Sequence, residues 1–230
     1  MVSASQNAQP SKEEIDRVAI ALESARHDLE RIETVLGGFV DQTCRQMSLE
    51  RRAHDWYRVA GESRIKDAVG IARTLKERNA SPDQIWEIDD IVGARVVVVL
   101  SSDIKPVADA LMNSNSIVLR DMLPKPIDKE SGYRALHIKG WLEDDARRIG
   151  CEIQIRTELQ DAFSVVSRSH LYKSGGLPEV LRELGRAQAD HLAVIDRSFE
   201  LIKALVHDHH VSPIARSKTA AEKLSPDVPS

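Results

Sequence analysis

The stretch CEIQIRTE, Cys151 to Glu158, decides how the rest of the chain is read. Side chains along an extended strand alternate between its two faces. Cys151, Ile153, Ile155 and Thr157 therefore share one face, and Glu152, Gln154 and Arg156 share the other. The isoleucine row is a core face. The opposite row sets an acid, an amide and a base in line, which packing alone does not require.

Working outward, three further runs read as strands. IDDIVGARVVVVL, Ile88 to Leu100, has a polar entrance, a glycine and then a β-branched run, the texture of a buried strand. SIVLRDML, Ser116 to Leu123, and YRALHIKGWL, Tyr133 to Leu142, are the others, with the Pro- and Lys-rich loop PKPIDKESG between them. DIKPVADALMN reads as a helix. Upstream, Ser11 and Glu14 form a capping box that opens a helix ending at Gly37-Gly38. A second helix spans about Val40 to Val59, and a third lies within SRIKDAVGIARTLKER. Beyond Glu158 the pattern is helical again.

The expected organisation is a disordered segment 1–11, a single domain 12–211 and a disordered tail 212–230. Within the domain, 12–79 is helical, 86–157 is the sheet core and 158–211 is helical. The fold class is α+β, a mixed sheet of four to five strands flanked by N- and C-terminal helices.

Composition narrows the function classes. Of the 230 residues 42% are hydrophobic but only 4% aromatic, so the core is aliphatic. A net charge of −4 argues against a general nucleic-acid coat. Two cysteines give neither a disulfide framework nor metal-site spacing. No bilayer-length apolar run and no signal-peptide pattern occur, so a cytoplasmic protein with no membrane partner is expected.

The chemistry-bearing residues cluster around the strands. Asp89 and Asp90 sit at the mouth of one strand and Glu152 on another. If those strands are neighbours, an aspartate and Glu152 converge on a hard cation such as Mg2+. Arg95 is a guanidinium at mid-strand, suited to stacking on a base or pairing with phosphate. Arg64 and Lys66 read as the start of a basic helix on which Arg73, Lys76 and Arg78 read as solvent-facing. Tyr133 and His137 share a face by alternation, at a loop-to-strand junction able to present a ring to a flat ligand. No Walker loop or metalloprotease signature is present. Together these residues suggest Mg2+-dependent chemistry on a nucleotide, without selecting a reaction.

In order, RIK, IDDIVGARV, GYRALH, EIQIRT and HLYK resemble the synthetase domain of the RelA/SpoT alarmone synthetases, over about Ser63 to Lys173. The short chain is similar to the small alarmone synthetases. The resemblance implies a nucleotidyltransferase-like sheet that moves the β,γ-pyrophosphate of ATP to the ribose 3′-hydroxyl of GDP or GTP. The products would be (p)ppGpp, the stringent-response signal, and AMP. By motif, Asp90 and Glu152 would hold Mg2+, with Glu152 helping to deprotonate the hydroxyl. Arg64 and Arg95 would sandwich the adenine, and Lys66 and Arg156 would neutralise phosphates. Tyr133 would stack on the acceptor guanine, with His137, Gln154 and Asp161 on the acceptor side. The terminal helices, 13–36 and 178–206, are expected to support a homo-oligomer.

Some positions depart from the family pattern. Gly70 and Thr74 stand where relatives carry serine and lysine near the phosphates; Ser167 and Arg168 replace a Glu-His pair. The departures open two alternatives: a toxin-like relative that modifies tRNA or adenosine nucleotides, and a catalytically degenerate nucleotide-binding module.

Overall fold

The computed structural model describes residues 9–51, 57–59, 63–114, 120–128, 132–143, 148–167 and 178–222. Arg168, Lys129 and the HLYK motif lie outside them. Two helices open the chain, α1 (Lys12–Ser24) and α2 (Arg26–Arg51). Ser11 caps α1 through the capping box read from the sequence. The break falls at Ala25, however, and Gly37-Gly38 pass through the interior of α2. A helical glycine costs only about 1 kcal/mol against alanine, which tertiary packing overrides. Gly37 also has a steric role: a Cβ there would lie 2.7 Å from Ser63 Oγ, the hydroxyl that donates to Glu33 O at 2.8 Å.

The expected second helix ends early. β1 (Tyr57–Val59) follows, then β2 (Arg64–Ile65), and α3 (Ala68–Glu77) starts only after its N-cap Asp67. Arg64 and Lys66 therefore precede the helix. Next come β3 (Val92–Val98), α4 (Ile104–Asn113), β4 (Arg120–Asp128), β5 (Arg134–Glu143), β6 (Arg148–Thr157), α5 (Glu158–Val166) and the long α6 (Glu179–Glu222). Backbone helix thus continues past residue 211.

These elements make an α+β fold around a mixed sheet in the order β1-β3-β6-β5-β4, with β2 also on β3. Among the described residues the path has five strands, and a further short piece, β2, pairs with β3 beside β1. Pieces of two and three residues are too short to show a period. β4 runs through Pro124 and Pro126, expected to be loop. It is the edge strand, where a missing N–H leaves no ladder bond broken.

One sheet face is the core. Val92, Ala94, Val96 and Val98 of β3 and Cys151, Ile153 and Ile155 of β6 are buried with Leu36, Phe39 and Val40 of α2 and Val107 and Leu111 of α4. Because β3 and β6 are parallel neighbours, their opposite face brings the mouth of one strand beside the polar row of the other. Among the described residues, no helix is long and apolar enough to cross a membrane.

Candidate active site

The polar row of β6 is matched by polar side chains on its neighbours. Strand register sets Glu152 opposite Lys139 of β5, and Gln154 opposite His137 of β5 and Arg95 of β3. On β4, Lys125 lies opposite His137. The result is a hydrogen-bonded ladder across the sheet. Gln154 Nε2 donates to Glu152 Oε1 at 2.6 Å, and Arg156 Nη2 donates to Gln154 Oε1. His137 bridges Glu152 Oε2, 3.0 Å from its Nδ1, and the Tyr133 hydroxyl, 2.9 Å from its Nε2. Tyr133 meets the His137 ring edge-on, and the Arg156 guanidinium lies 5.5 Å from the Tyr133 ring centre.

The aspartates arrive from the start of β3. Gly150 makes this possible: a Cβ there would lie 2.1 Å from Ile88 O and 2.6 Å from Asp89 Cα. Asp89 accepts from Arg78 Nη2 at 2.6 Å and from Lys139 Nζ at 2.7 Å. Neither Asp89 nor Arg78 is simply solvated, although a charged helix face reads that way in sequence. Lys139 Nζ also lies 3.6 Å from Glu152 Oε2. Asp90 Oδ2 accepts from Lys66 Nζ at 2.7 Å, and that ammonium also donates to Thr74 Oγ1 at 2.9 Å. The other oxygen, Asp90 Oδ1, is buried with no hydrogen-bond partner among the described residues.

Electrostatics follow from these contacts. Burial pushes the Glu152 carboxyl up, but His137, Gln154 and Lys139 together outweigh it and hold the group at about 2. Asp89 likewise settles at about 2, with Lys139 and Arg78 overcoming burial. Burial acts to lower Lys139, yet Asp89, Glu152 and Asp90 raise it on balance. Asp89 and Glu152 are ionised at neutral pH.

A cleft of about 480 Å3 opens on this face. Six of the ten residues singled out from sequence line it: Lys66, Asp90, Tyr133, His137, Glu152 and Gln154. Arg64, Arg95, Arg156 and Asp161 are not in the lining. Arg64 is exposed on β2. Arg95 Nη1 lies 3.2 Å from Asp161 Oδ1, and the fully buried Arg156 reaches the same oxygen at 3.6 Å. Lys76 turns away, donating to Gln9 O ahead of α1 at 3.1 Å and lying 3.4 Å from Glu14 Oε2 of α1.

Sequence reasoning missed Lys139, which lines the cleft together with Lys125 and Thr74. Extending the alternation Tyr133, Ala135, His137 by one step finds it. Of the departures from the family pattern, Ser167 is buried on the cleft wall, donating to Ser164 O at 3.3 Å. Gly70 accommodates the Asp67 side chain that caps α3.

Comparison with known proteins places these features. The model for the region found in RelA/SpoT proteins matches residues 63–176. GTP pyrophosphokinase YjbM of Bacillus subtilis (strain 168) is 24% identical over 166 residues, which span 70% of this chain and 78% of the relative. The small alarmone synthetase 1 of B. subtilis, solved with its product pppGpp, has the same fold: TM-score 0.65 at 22% identity, covering 84% of this chain and 99% of that one. A GTP pyrophosphokinase family protein from Streptococcus pneumoniae gives 0.62 at 21% identity, covering 83% and 95%.

Proposed function

With residues 63–176 belonging to the RelA/SpoT family, we propose that this chain transfers pyrophosphate from ATP to the ribose 3′-hydroxyl of GDP or GTP, making (p)ppGpp. The observation that carries this reading is convergence. Asp90, in the turn before β3, and Glu152, on β6, open onto one cleft with Lys66, Lys139 and Tyr133, in a volume suited to a nucleotide. The printed names of the relatives, a GTP pyrophosphokinase and a synthetase bound to pppGpp, support the same reading.

The donor set suits Mg2+, a hard cation that accepts one or two carboxylates and completes its shell with phosphate oxygens. Asp90 and Glu152 would hold it, and the buried, unpartnered Asp90 Oδ1 is the acceptor best explained by such an ion. When bound, the ion supplies charge neutralisation on the phosphates. The chain's own groups do the rest. Lys66 offers an ammonium beside the donor phosphates. The acceptor guanine stacks on Tyr133, whose orientation is set by its bond to His137. The acceptor 3′-oxygen attacks the β-phosphorus of ATP, the bond from that phosphorus to the oxygen on the α-phosphate breaks, and AMP departs. Glu152 receives the hydroxyl proton, with His137 beside it. Such a transfer depends on in-line placement and charge neutralisation, which this cleft is built to supply. Arg64 and Arg95 are assigned to the adenine; Arg95 must then exchange its contact with Asp161 for the base. Gln154 and Asp161 brace the acceptor side, and the buried Arg156, assigned by motif to the phosphates, must exchange its contacts with Gln154 and Asp161 to reach them.

γ-Labelled ATP with Mg2+, offered GDP, GTP, ATP and bulk tRNA in parallel, tests the proposal. Label on GDP or GTP is the expected result. Label on tRNA or on an adenosine nucleotide overturns the acceptor assignment, and nucleotide binding without transfer overturns catalysis.

A further inference from the structure

Three carboxylates meet at the head of the parallel pair β3 and β6, and each has a cation within ion-pair range. Lys66 holds Asp90, Arg78 holds Asp89, and Lys139 lies between Asp89 and Glu152. The three cations are not equivalent. If Lys66 withdrew, Asp90 would lose the ion-pair partner it has among the described residues. If Lys139 withdrew, Asp89 would keep Arg78 at 2.6 Å, and Glu152 would keep His137 at 3.0 Å and Gln154 at 2.6 Å. Arg78 could also leave without stranding Asp89, which would keep Lys139 at 2.7 Å, but Arg78 does not line the cleft. Lys139 is therefore the cation that can depart into the cleft and strand no acid. It carries a compact charge on a flexible four-carbon stem, its side chain is 30% exposed, and it lines the cleft.

We propose that Lys139 is the exchangeable counter-ion of this site. Before nucleotide binds, its ammonium balances Asp89 and Glu152. As a divalent cation takes the Glu152 and Asp90 oxygens, the ammonium moves onto the phosphate oxygens of the donor and leaves Asp89 to Arg78. The inference rests on the reading of ATP with a divalent cation as donor. Its physical basis is competition: an ammonium beside Glu152 Oε2 occupies the field that attracts a metal ion. Once released, it becomes a charge-assisted donor to a phosphate. A residue serving only to stabilise the fold would not link these two events with opposite signs.

Two binding measurements on the full chain test it, using Lys139→Met and the conservative Lys139→Arg. The first is Mn2+ binding without nucleotide, followed by the spin resonance of free Mn2+. The second is binding of the non-transferable ATP analogue AMPCPP at fixed Mn2+, followed by calorimetry. Lys139→Met is expected to bind Mn2+ about threefold tighter, the scale of a partly exposed ion pair removed. It is expected to bind AMPCPP about tenfold weaker, the scale of one lost charged hydrogen bond. Lys139→Arg should recover most of the AMPCPP affinity. Unchanged or weaker Mn2+ binding by Lys139→Met overturns the proposal, whatever the nucleotide does. Unchanged AMPCPP affinity also overturns it. Should the Met variant not fold, Lys139→Gln carries the same two expectations. A wild-type chain that binds Mn2+ but no AMPCPP overturns the donor assignment instead, and the Mn2+ comparison alone then decides the role of Lys139.

Discussion

Arg95 Nη1 lies 3.2 Å from Asp161 Oδ1, joining a residue of β3 to one of α5 outside the lining of the cleft. The same carboxylate is 3.6 Å from Arg156 Nη1, and both Arg156 and Asp161 are buried. Removing one member of a buried charged set leaves the others uncompensated. Asp161→Asn is therefore expected to lower stability by about 3 kcal/mol. Urea unfolding of the variant beside the parent chain measures this; an unchanged midpoint would mean the two arginines are satisfied elsewhere.

Glu152→Gln keeps the shape of the ladder, since an amide can still bond Gln154 and His137, but it removes the charge. Transfer is expected to fall by at least about a hundredfold, the scale of losing one electrostatic group of a reaction centre. Stability at neutral pH should fall by about 2 kcal/mol, the scale of a hydrogen bond to a charged group, with the fold kept. Initial rates together with thermal melts check both halves, and full activity would remove Glu152 from the reaction.

Acid should weaken the fold through two carboxyls. Asp89 and Glu152 titrate at about 2 in the folded chain, against ordinary values of 3.8 and 4.5. The unfolded chain binds their protons more readily, so their contribution is full above about pH 4.5 and is lost as pH falls toward 2. Urea midpoints measured from neutral pH downward should drop in that window. The drop should be shallower in Asp89→Asn and in Glu152→Gln.

Asp196 works in the opposite sense. Burial raises its carboxyl, and the Thr157 hydroxyl, donating at 2.8 Å, offsets this only partly. A raised carboxyl favours the fold at low pH and loses that contribution as pH climbs through its folded value. Asp196→Asn, which keeps an acceptor for Thr157, is expected to stabilise the protein at neutral pH. A rise in melting temperature at pH 7 that vanishes in acid would bear this out.

Glycine substitutions separate packing from propensity. Gly150→Ala forces its methyl into the backbone of Ile88 and Asp89. It should cost about 2 kcal/mol, an overpacking penalty, and displace Asp90 with a loss of transfer. Gly38→Ala meets nothing within 4 Å in the middle of α2. It should gain roughly 0.5–1 kcal/mol from helix propensity. Equal effects at the two sites would refute the steric reading.

What could be read in advance followed from short-range physics. The row Glu152, Gln154, Arg156 was legible because a strand has a period of two, and the start of α1 because Ser11 and Glu14 cap it locally. The helix boundary near Ala25 was not, since glycine carries a small penalty that neighbours override. β4 through Pro124 and Pro126 looked like a loop, because proline is tolerated in a strand only when that strand lies at an edge. The partners of Arg95 and Arg78 depend on which strands become neighbours, which no local pattern encodes. Lys139 lay one alternation step beyond His137, and only the pairing of β5 with β6 gives it a reason to matter.

Sheet order also governs how the protein is made. β6 is the last strand in the chain yet sits between β3 and β5, so the β1-β3 and β5-β4 portions are joined only through it. During synthesis both of those portions must wait with an open hydrogen-bonding edge until Arg148–Thr157 emerges. Such long-range closure is slow. A ribosome stalled before that point would release a polypeptide with two sticky half-sheets, prone to self-association and lacking Glu152.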